Sequence, residues 1–253
     1  MTTQVDVSAA ATERAVRSLL VAIESRDLGA VAAALAVDCT WQNVPHTPVI
    51  GRDAVVALLA PVLCWSDRVE WEALSQFYDD GLAWVERADR FWIDGAEHVV
   101  RCNGVITVDV AAGLVTSVRD YVDLHEWRER LAPVFEAMAS RTPVEVVSRH
   151  LHAVGARDQV AMAADYTLDA VLERGSDVYR GWSEIADYFR TVPQRLGESR
   201  LTLSSPQAAG TAEATVAWTI DASDGSSVRG HDHYVVQRGR IIHQHVTLLG
   251  NDF

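Results

Sequence analysis

The spacing of apolar residues in the first part of the chain is that of helices. From Thr12 to Ser25, apolar side chains recur at intervals of three and four residues, which predicts an amphipathic helix. A short second helix is expected after Asp27, and a third is expected to run to Leu63, capped or opened by Asp53. Between the second and third helices lies a β-like stretch that contains Trp41.

After Ser66 the pattern changes to that of strands. The sequence becomes rich in Val, Ile, Trp and Tyr, and short segments with glycine separate the apolar runs, as is typical of strands joined by turns. The first strand is expected to begin at Val69, and the others are predicted at 82–92, 99–108 and 114–124. Helical composition returns from His125 to Ala139. Helices followed by a meander of strands predict an α+β layer with a deep pocket at the open end of a curved sheet.

The same order of elements occurs twice, which indicates a duplicated unit. The matching segments are 24–35 with 155–165, the helix starts at Gly51 and Gly181, and the glycine turns at Gly113 and Gly239. Residues 1–136 are therefore predicted to form one domain and residues 137–253 a second. The predicted fold class is α+β, with two tandem cone-shaped domains. Each is a curved mixed or antiparallel sheet wrapped on N-terminal helices.

Composition and charge narrow the possible partners. The chain has 253 residues, and its 22 lysines and arginines leave a net charge of −13. Because there is no basic patch, neither nucleic acid nor an anionic membrane is an expected partner. The three cysteines show neither zinc nor disulfide spacing, which favours reduced thiols and a cytoplasmic location. The first eleven residues lack the pattern of a signal peptide, and no apolar run is long enough to span a membrane.

Polar residues occur in the first copy where strands should be apolar. Arg87 and Asp89 point to the same face of a predicted strand, Asp120 lies in the last strand, and Asn43 follows Trp41 by two. Two carboxyls bridged by a guanidinium suit the opening of an epoxide, because one can protonate the oxygen while the other deprotonates water. The alternatives are exposed charge pairs on a solvated strand and, for Asn43, a turn residue.

Three segments of the first copy resemble the limonene-1,2-epoxide hydrolase family. They read W-Q-N-V-P-H-T-P-V-I-G-R-D-A-V from Trp41, then G-L-A-W-V-E-R-A-D and V-R-D-Y-V-D-L. The resemblance implies one-step hydrolysis of a lipophilic epoxide with no covalent ester, metal or cofactor. It implies that Asp120 is the base, Asp89 the acid, Arg87 the bridge between them and Asn43 a holder of water. The aromatic residues expected to contact substrate are Trp41, Trp84, Phe91 and Trp92.

Trp41 departs from the family pattern, which has a water-holding tyrosine at this position. An indole only donates a hydrogen bond, whereas a phenol both donates and accepts. One alternative is therefore an epoxide-opening cyclase of natural-product biosynthesis, in which a substrate hydroxyl replaces water. Another is a small-molecule binding protein without catalysis.

The second copy resembles only the broad nuclear-transport-factor-2-like superfamily, which includes polyketide cyclases. Aligned on Gly181, it places Glu173 opposite Asn43 and His245 or Val246 opposite Asp120. Its histidine pairs, 231 with 233 and 243 with 245, are interpreted as a polar sheet face, with a metal or acid–base site as the alternative. Other candidate pocket acids are Asp165, Asp169 and Glu173. We expect a non-catalytic partner that forms a pseudo-dimer within the chain, with further homo-oligomers possible.

Overall fold

Two compact units make up the protein in the computed structural model, which describes residues 2–250 and their side chains from residue 7 onward. The first spans residues 1–135 and the second residues 136–253. Each combines helices with one mixed sheet, so the predicted α+β fold class with two tandem units is confirmed. Of the helices within residues 2–250, none combines the length and apolar character that crossing a membrane requires.

The first unit builds a six-stranded sheet in the order β2-β1-β6-β5-β4-β3. Neighbouring strands are antiparallel except for β1 and β6, which run parallel. The elements are α1 (Thr2–Glu24), α2 (Leu28–Ala34), β1 (Leu35–Val44), β2 (Val49–Ile50), α3 (Arg52–Trp65), β3 (Arg68–Asp79), β4 (Leu82–Ile93), β5 (Ala96–Asp109), β6 (Leu114–Val122) and α4 (Leu124–Arg130). Helix α5 (Ala132–Ala139) crosses the boundary between the units.

The second unit repeats this plan with a longer sheet. Its path is β10-β11-β12-β13-β7-β8, with β9 paired to β11 and with β13 and β7 parallel. The elements are α6 (Pro143–Ala156), α7 (Gln159–Ala164), β7 (Tyr166–Arg174), β8 (Asp177–Arg180), α8 (Gly181–Leu196), β9 (Arg200–Leu203), β10 (Gln207–Ala208), β11 (Glu213–Asp221), β12 (Ser227–Gln237) and β13 (Arg240–Leu248). The parallel pair therefore occupies the same place in both units.

Local capping sets several helix starts. The Asp27 carboxylate accepts from the backbone N–H of Ala30 at 3.0 Å, which fixes the start of α2 as expected. Asp53, in contrast, lies inside the first turn of α3, and Gly51 is the N-cap residue with φ of +94°. Asp123 caps α4, so the chain leaves β6 at Val122 instead of at the predicted Leu124.

Candidate active site

Strand β4 carries the two charged side chains at the centre of the first unit. Arg87 and Asp89 are two residues apart, so they share the face of the sheet that is buried. Arg87 is 1% exposed and Asp89 5% exposed, which excludes the alternative of a solvated charge pair. Ionised groups are buried to this extent only when they are paired.

Arg87 joins carboxyls from two strands. Its Nε donates to Asp89 Oδ1 at 2.7 Å and its Nη2 to Asp120 Oδ2 at 2.9 Å. Nη2 also lies 3.3 Å from the sulfur of Cys102, and the guanidinium carbon sits 4.3 Å from the centre of the Trp71 ring. The indole face and the two carboxyls together fix the plane of the guanidinium.

The close approach of Arg87 to Asp120 depends on a glycine between them. Gly104 lies on β5, opposite Asp120 of β6 and Val85 of β4. A methyl group at Gly104 would come within 2.5 Å of Arg87 Nη1 and 3.0 Å of Asp120 Oδ1. Position 104 therefore leaves the space that the ion pair occupies.

Burial and the neighbouring charges set the protonation states of Asp89 and Arg87. Burial raises the pKa of Asp89 to about 6, against the opposing effect of Arg87 and with a further upward contribution from Asp120. Burial alone would lower the pKa of Arg87, but Asp120 and Asp89 raise it well above its usual value. The site thus holds a fixed cation beside a carboxyl that can carry a proton near neutral pH.

One carboxyl oxygen in the site is left without a partner. Asp120 is 3% exposed, and its Oδ1 accepts no hydrogen bond from the described part of the chain. Asn43 is its register partner on the parallel strand β1, so the two side chains share a face of the sheet, and both line the cavity described below. A buried acceptor that receives no hydrogen bond costs free energy unless a ligand or water donates one to it.

A cavity of about 420 Å³ opens onto these groups. Asp89, Asp120 and Asn43 line it, whereas Arg87 lies behind the two carboxyls and does not. The other lining residues, mostly apolar, are Trp41, His46, Leu58, Leu59, Val62, Trp71, Phe91, Val100, Val122, Leu124, Trp127, Arg128 and Ala132. This volume lies in the range of pockets for small molecules.

The expected aromatic contacts divide into two pairs. Trp41 and Phe91 line the cavity, and the Trp41 ring packs 6.2 Å from that of Trp71. The prediction is wrong for Trp84 and Trp92, because strand alternation turns both away from the face that carries Asp89 and Phe91. Trp92 instead stacks under Arg68 at 4.4 Å.

Sequence reasoning also missed part of the cavity wall. It assigned no place at the site to His46, Trp71 or Trp127, although all three line the cavity. For Trp71 a signal was present, since it alternates with charged residues on a strand that should pair with β4. The contributions of α3 and α4 had no such signal, because they depend on how helices pack on the sheet.

In the second unit the two histidine pairs predicted on strands, 231 with 233 and 243 with 245, lie away from the interior. His233 contacts Glu213 at 3.1 Å, while His243 and His245 contact Glu173 at 3.4 and 3.1 Å on a partly solvated face. Within residues 2–250 no group of three or more metal-binding side chains is close enough to hold an ion.

The candidate acids of the second unit, Asp165, Asp169 and Glu173, do not line the cavity that Asp232 lines. Asp165 is buried against Arg149 at 2.7 Å, and Asp169 is exposed. The carboxyl that does face a cavity is Asp232, which the sequence reasoning passed over between two histidines.

Family comparison distinguishes the two halves. Residues 10–132 match the model of the limonene-1,2-epoxide hydrolase catalytic domain, and residues 147–244 match that of the SnoaL-like domain. The resemblance predicted from the motifs of the first copy is confirmed, as is the broader resemblance of the second. Residues 10–132 are therefore similar in sequence to the catalytic domain of limonene-1,2-epoxide hydrolases.

Solved structures similar to the chain each correspond to about half of it. An epoxide hydrolase from M. tuberculosis, described as LEH-like, is 28% identical, with 48% of this chain and 89% of that chain covered and a TM-score of 0.41. A putative SnoaL-like polyketide cyclase from Shewanella denitrificans is 12% identical, with 48% and 97% covered and a TM-score of 0.44. Bal32a, from a soil-derived mobile gene cassette, is 18% identical, with 49% and 98% covered and a TM-score of 0.42.

Proposed function

We propose that the first unit hydrolyses the epoxide of a lipophilic small molecule in one step of general acid–base catalysis. The observation that carries this proposal is the state of the two carboxyls at one cavity wall. Asp89 has its pKa raised to about 6, and Asp120 presents an oxygen that no described residue satisfies. A pair of carboxyls in different environments is what acid–base chemistry at neutral pH requires.

Asp120 is the base of this mechanism. A water held between its Oδ1 and the Asn43 amide gives up a proton to Asp120 as its oxygen forms a bond to the epoxide carbon. Arg87 binds the other oxygen of Asp120 and so aims Oδ1 at the cavity. That water supplies the hydrogen-bond donor that Asp120 Oδ1 lacks.

Asp89 is the acid. It gives its proton to the epoxide oxygen as the carbon–oxygen bond breaks, which yields a vicinal diol. One proton leaves Asp89 while another arrives at Asp120, so the charge of the pair together with Arg87 stays the same throughout. No net charge therefore develops in a cavity whose other walls are mostly apolar, where an unpaired charge would be costly.

A second candidate is ring closure by a hydroxyl of the substrate itself, and Trp41 favours it. The Trp41 ring is buried in the wall beside the site, where its indole nitrogen can donate but not accept a hydrogen bond. A water held by Asn43 and Asp120 finds no hydrogen-bond acceptor on Trp41, whereas a tyrosine at that position would offer one. An internal hydroxyl needs no third partner.

Turnover of a panel of lipophilic epoxides and hydroxy-epoxides in ¹⁸O-labelled water tests both candidates. Hydrolysis predicts label in a diol, and a fall in kcat of at least about 100-fold in Asp120→Asn. Glu86→Gln is the matched control, because Glu86 is a carboxylate on the other face of β4, and it should retain activity. Unlabelled cyclic ether would identify the cyclase, and the absence of any Asp120-dependent turnover would favour a binding protein without catalysis.

A further inference from the structure

The second unit contains a cavity of its own of about 80 Å³, lined by α6, α8 and one face of its sheet. Most of its wall is apolar, with Leu151, Val192 and Ile220 among the lining residues. Four polar side chains and two phenols also line it: His150, Arg174, Asp232, Gln244, Tyr188 and Tyr234. A small apolar space with a few convergent polar groups is the usual form of a ligand site.

The Asp232 carboxylate is already satisfied by the protein. Its Oδ1 accepts from Trp218 Nε1 at 2.7 Å, and its Oδ2 accepts from the Tyr234 hydroxyl at 2.9 Å and Gln244 Nε2 at 2.8 Å. Tyr166 in turn donates to the Gln244 carbonyl. This network fixes one wall of the cavity and leaves little capacity on Asp232 for a ligand.

His150 offers the cavity a hydrogen-bond acceptor. The ring is 1% exposed, and its Nδ1 lies 3.1 Å from the Met162 carbonyl oxygen. A carbonyl only accepts, so Nδ1 carries the proton; burial lowers the pKa of His150 to about 4, which keeps the ring neutral. Nε2 is then an acceptor, and it bonds to none of the described side chains or backbone groups.

Tyr188 offers a donor at the same wall. Burial raises the pKa of Tyr188 to about 12, so the phenol keeps its proton, and its hydroxyl bonds to none of the described residues. The rings of His150 and Tyr188 both pack against Phe189, with centroids 5.5 and 5.1 Å from it. An acceptor and a donor without partners therefore flank one aromatic ring.

Charge limits the ligand further. The cavity wall contains one buried carboxyl, Asp232, and one buried guanidinium, Arg174, so it carries one charge of each sign. Because these two charges offset each other, a charged ligand would meet no uncompensated partner and would lose its hydration. An uncharged molecule loses much less.

We infer that this cavity binds a small, uncharged, mostly apolar molecule that carries a hydroxyl group. The hydroxyl donates to His150 Nε2 and accepts from the Tyr188 hydroxyl, while its hydrocarbon part fills the apolar space. This site is separate from the acid–base site of the first unit, and its existence does not depend on what the first unit catalyses.

Phenol and toluene form a matched pair of probes, since they differ by a hydroxyl in place of a methyl group. The Trp218 indole N–H lies in the cavity wall and gives a local nuclear magnetic resonance signal on the full chain with ¹⁵N-labelled tryptophan. Titration with phenol should shift this signal to saturation, with a Kd about three- to tenfold lower than that of toluene. Binding to the first unit would instead move the Trp41 or Trp71 signals.

Two conservative variants test whether the cavity binds phenol through the Tyr188 hydroxyl or only through its apolar wall. Tyr188→Phe should weaken phenol binding about threefold and leave toluene binding unchanged, because only the hydroxyl is lost. Tyr179→Phe is the control: its ring packs 4.7 Å from that of Tyr188, but it does not line the cavity. No shift of Trp218 with either probe, equal affinity for both, or equal effects of the two variants would overturn the inference.

Discussion

Asp89 differs from a free carboxyl in the pH at which it loses its proton. Burial raises its pKa to about 6, although the adjacent Arg87 opposes this shift. As the acid, Asp89 must be protonated, so kcat/KM should fall about tenfold per pH unit above pH 6. A pH–rate profile of the wild type from pH 5 to 9 measures this fall. A flat profile from pH 6 to 8 would contradict the role of Asp89.

Gly104 matters for the site although it bears no functional group. In Gly104→Ala the new methyl group would press on Arg87 Nη1, which cannot move away because two carboxyls and the Trp71 ring hold it. A displacement of this size in a positioned site lowers kcat/KM on the order of 100-fold. Steady-state kinetics measures the loss.

The control for Gly104→Ala is Gly155→Ala in helix α6. A methyl group there meets nothing within 4 Å, and glycine inside a helix is less stable than alanine by about 1 kcal/mol. This variant should keep full activity and unfold at a slightly higher temperature. Equal kinetics in the two variants would show that Gly104 does not position the pair.

At the scale of elements, helix α6 is held at its start by a reciprocal cap. The Thr142 hydroxyl accepts from the Glu145 backbone N–H at 3.3 Å, and the Glu145 carboxylate accepts from the Thr142 backbone N–H at 2.7 Å. Thr142→Ala should lower the free energy of unfolding by about 1 kcal/mol. Thr142→Ser, which keeps the hydroxyl, should lose much less in the same denaturant titration. An equal loss in both variants would assign the effect to the methyl group.

Strand positions were predictable where apolar and polar residues alternate cleanly, and less so where both faces carry polar groups. β4 could be placed from its sequence, since Val85, Arg87 and Asp89 are alternate residues and so lie on the same face of the strand. On β12 the histidines drew attention to the wrong face, because Asp232 and Tyr234 are the buried residues. The signal present was Val236, an apolar residue in phase with them.

The register of the second unit could not be obtained from the sequence alignment. Strand pairing puts Leu172 where the first unit has Trp41, and Arg174 and Val246 where it has Asn43 and Asp120. The turn after β7 is one residue shorter than that after β1, so aligning on Gly181 shifts Asn43 onto Glu173. A shift of one residue turns every side chain to the other face.

For the whole molecule, the duplicated fold contains the proposed acid–base site in the first unit and a different cavity in the second. Val246 stands where the first unit has Asp120, the proposed base, and Asp232 accepts hydrogen bonds from three donors. Asp232→Asn should therefore change epoxide turnover by no more than about twofold, whereas Asp120→Asn should lower it at least about 100-fold. Comparing kcat/KM of the two variants tests this. Similar losses in both would mean that the two units share the chemistry.

The duplication itself was evident from the sequence, because the helix starts and glycine turns recur in order. The difference between the two cavities was not evident from the sequence, since it depends on which side chains face each of them. Arg87 and Asp120 come from strands that are not neighbours, and only the sheet order brings them together.

The parallel pairing of β1 and β6 also has a consequence for how activity appears during folding. β3, β4 and β5 are joined by short turns and can pair locally, but β6 pairs with β1, which is far from it in the sequence. Contacts between distant segments form late, because closing the intervening loop costs entropy. Asn43 and Asp120 meet only at that seam, so a refolding chain gains most of its sheet before it gains the acid–base site.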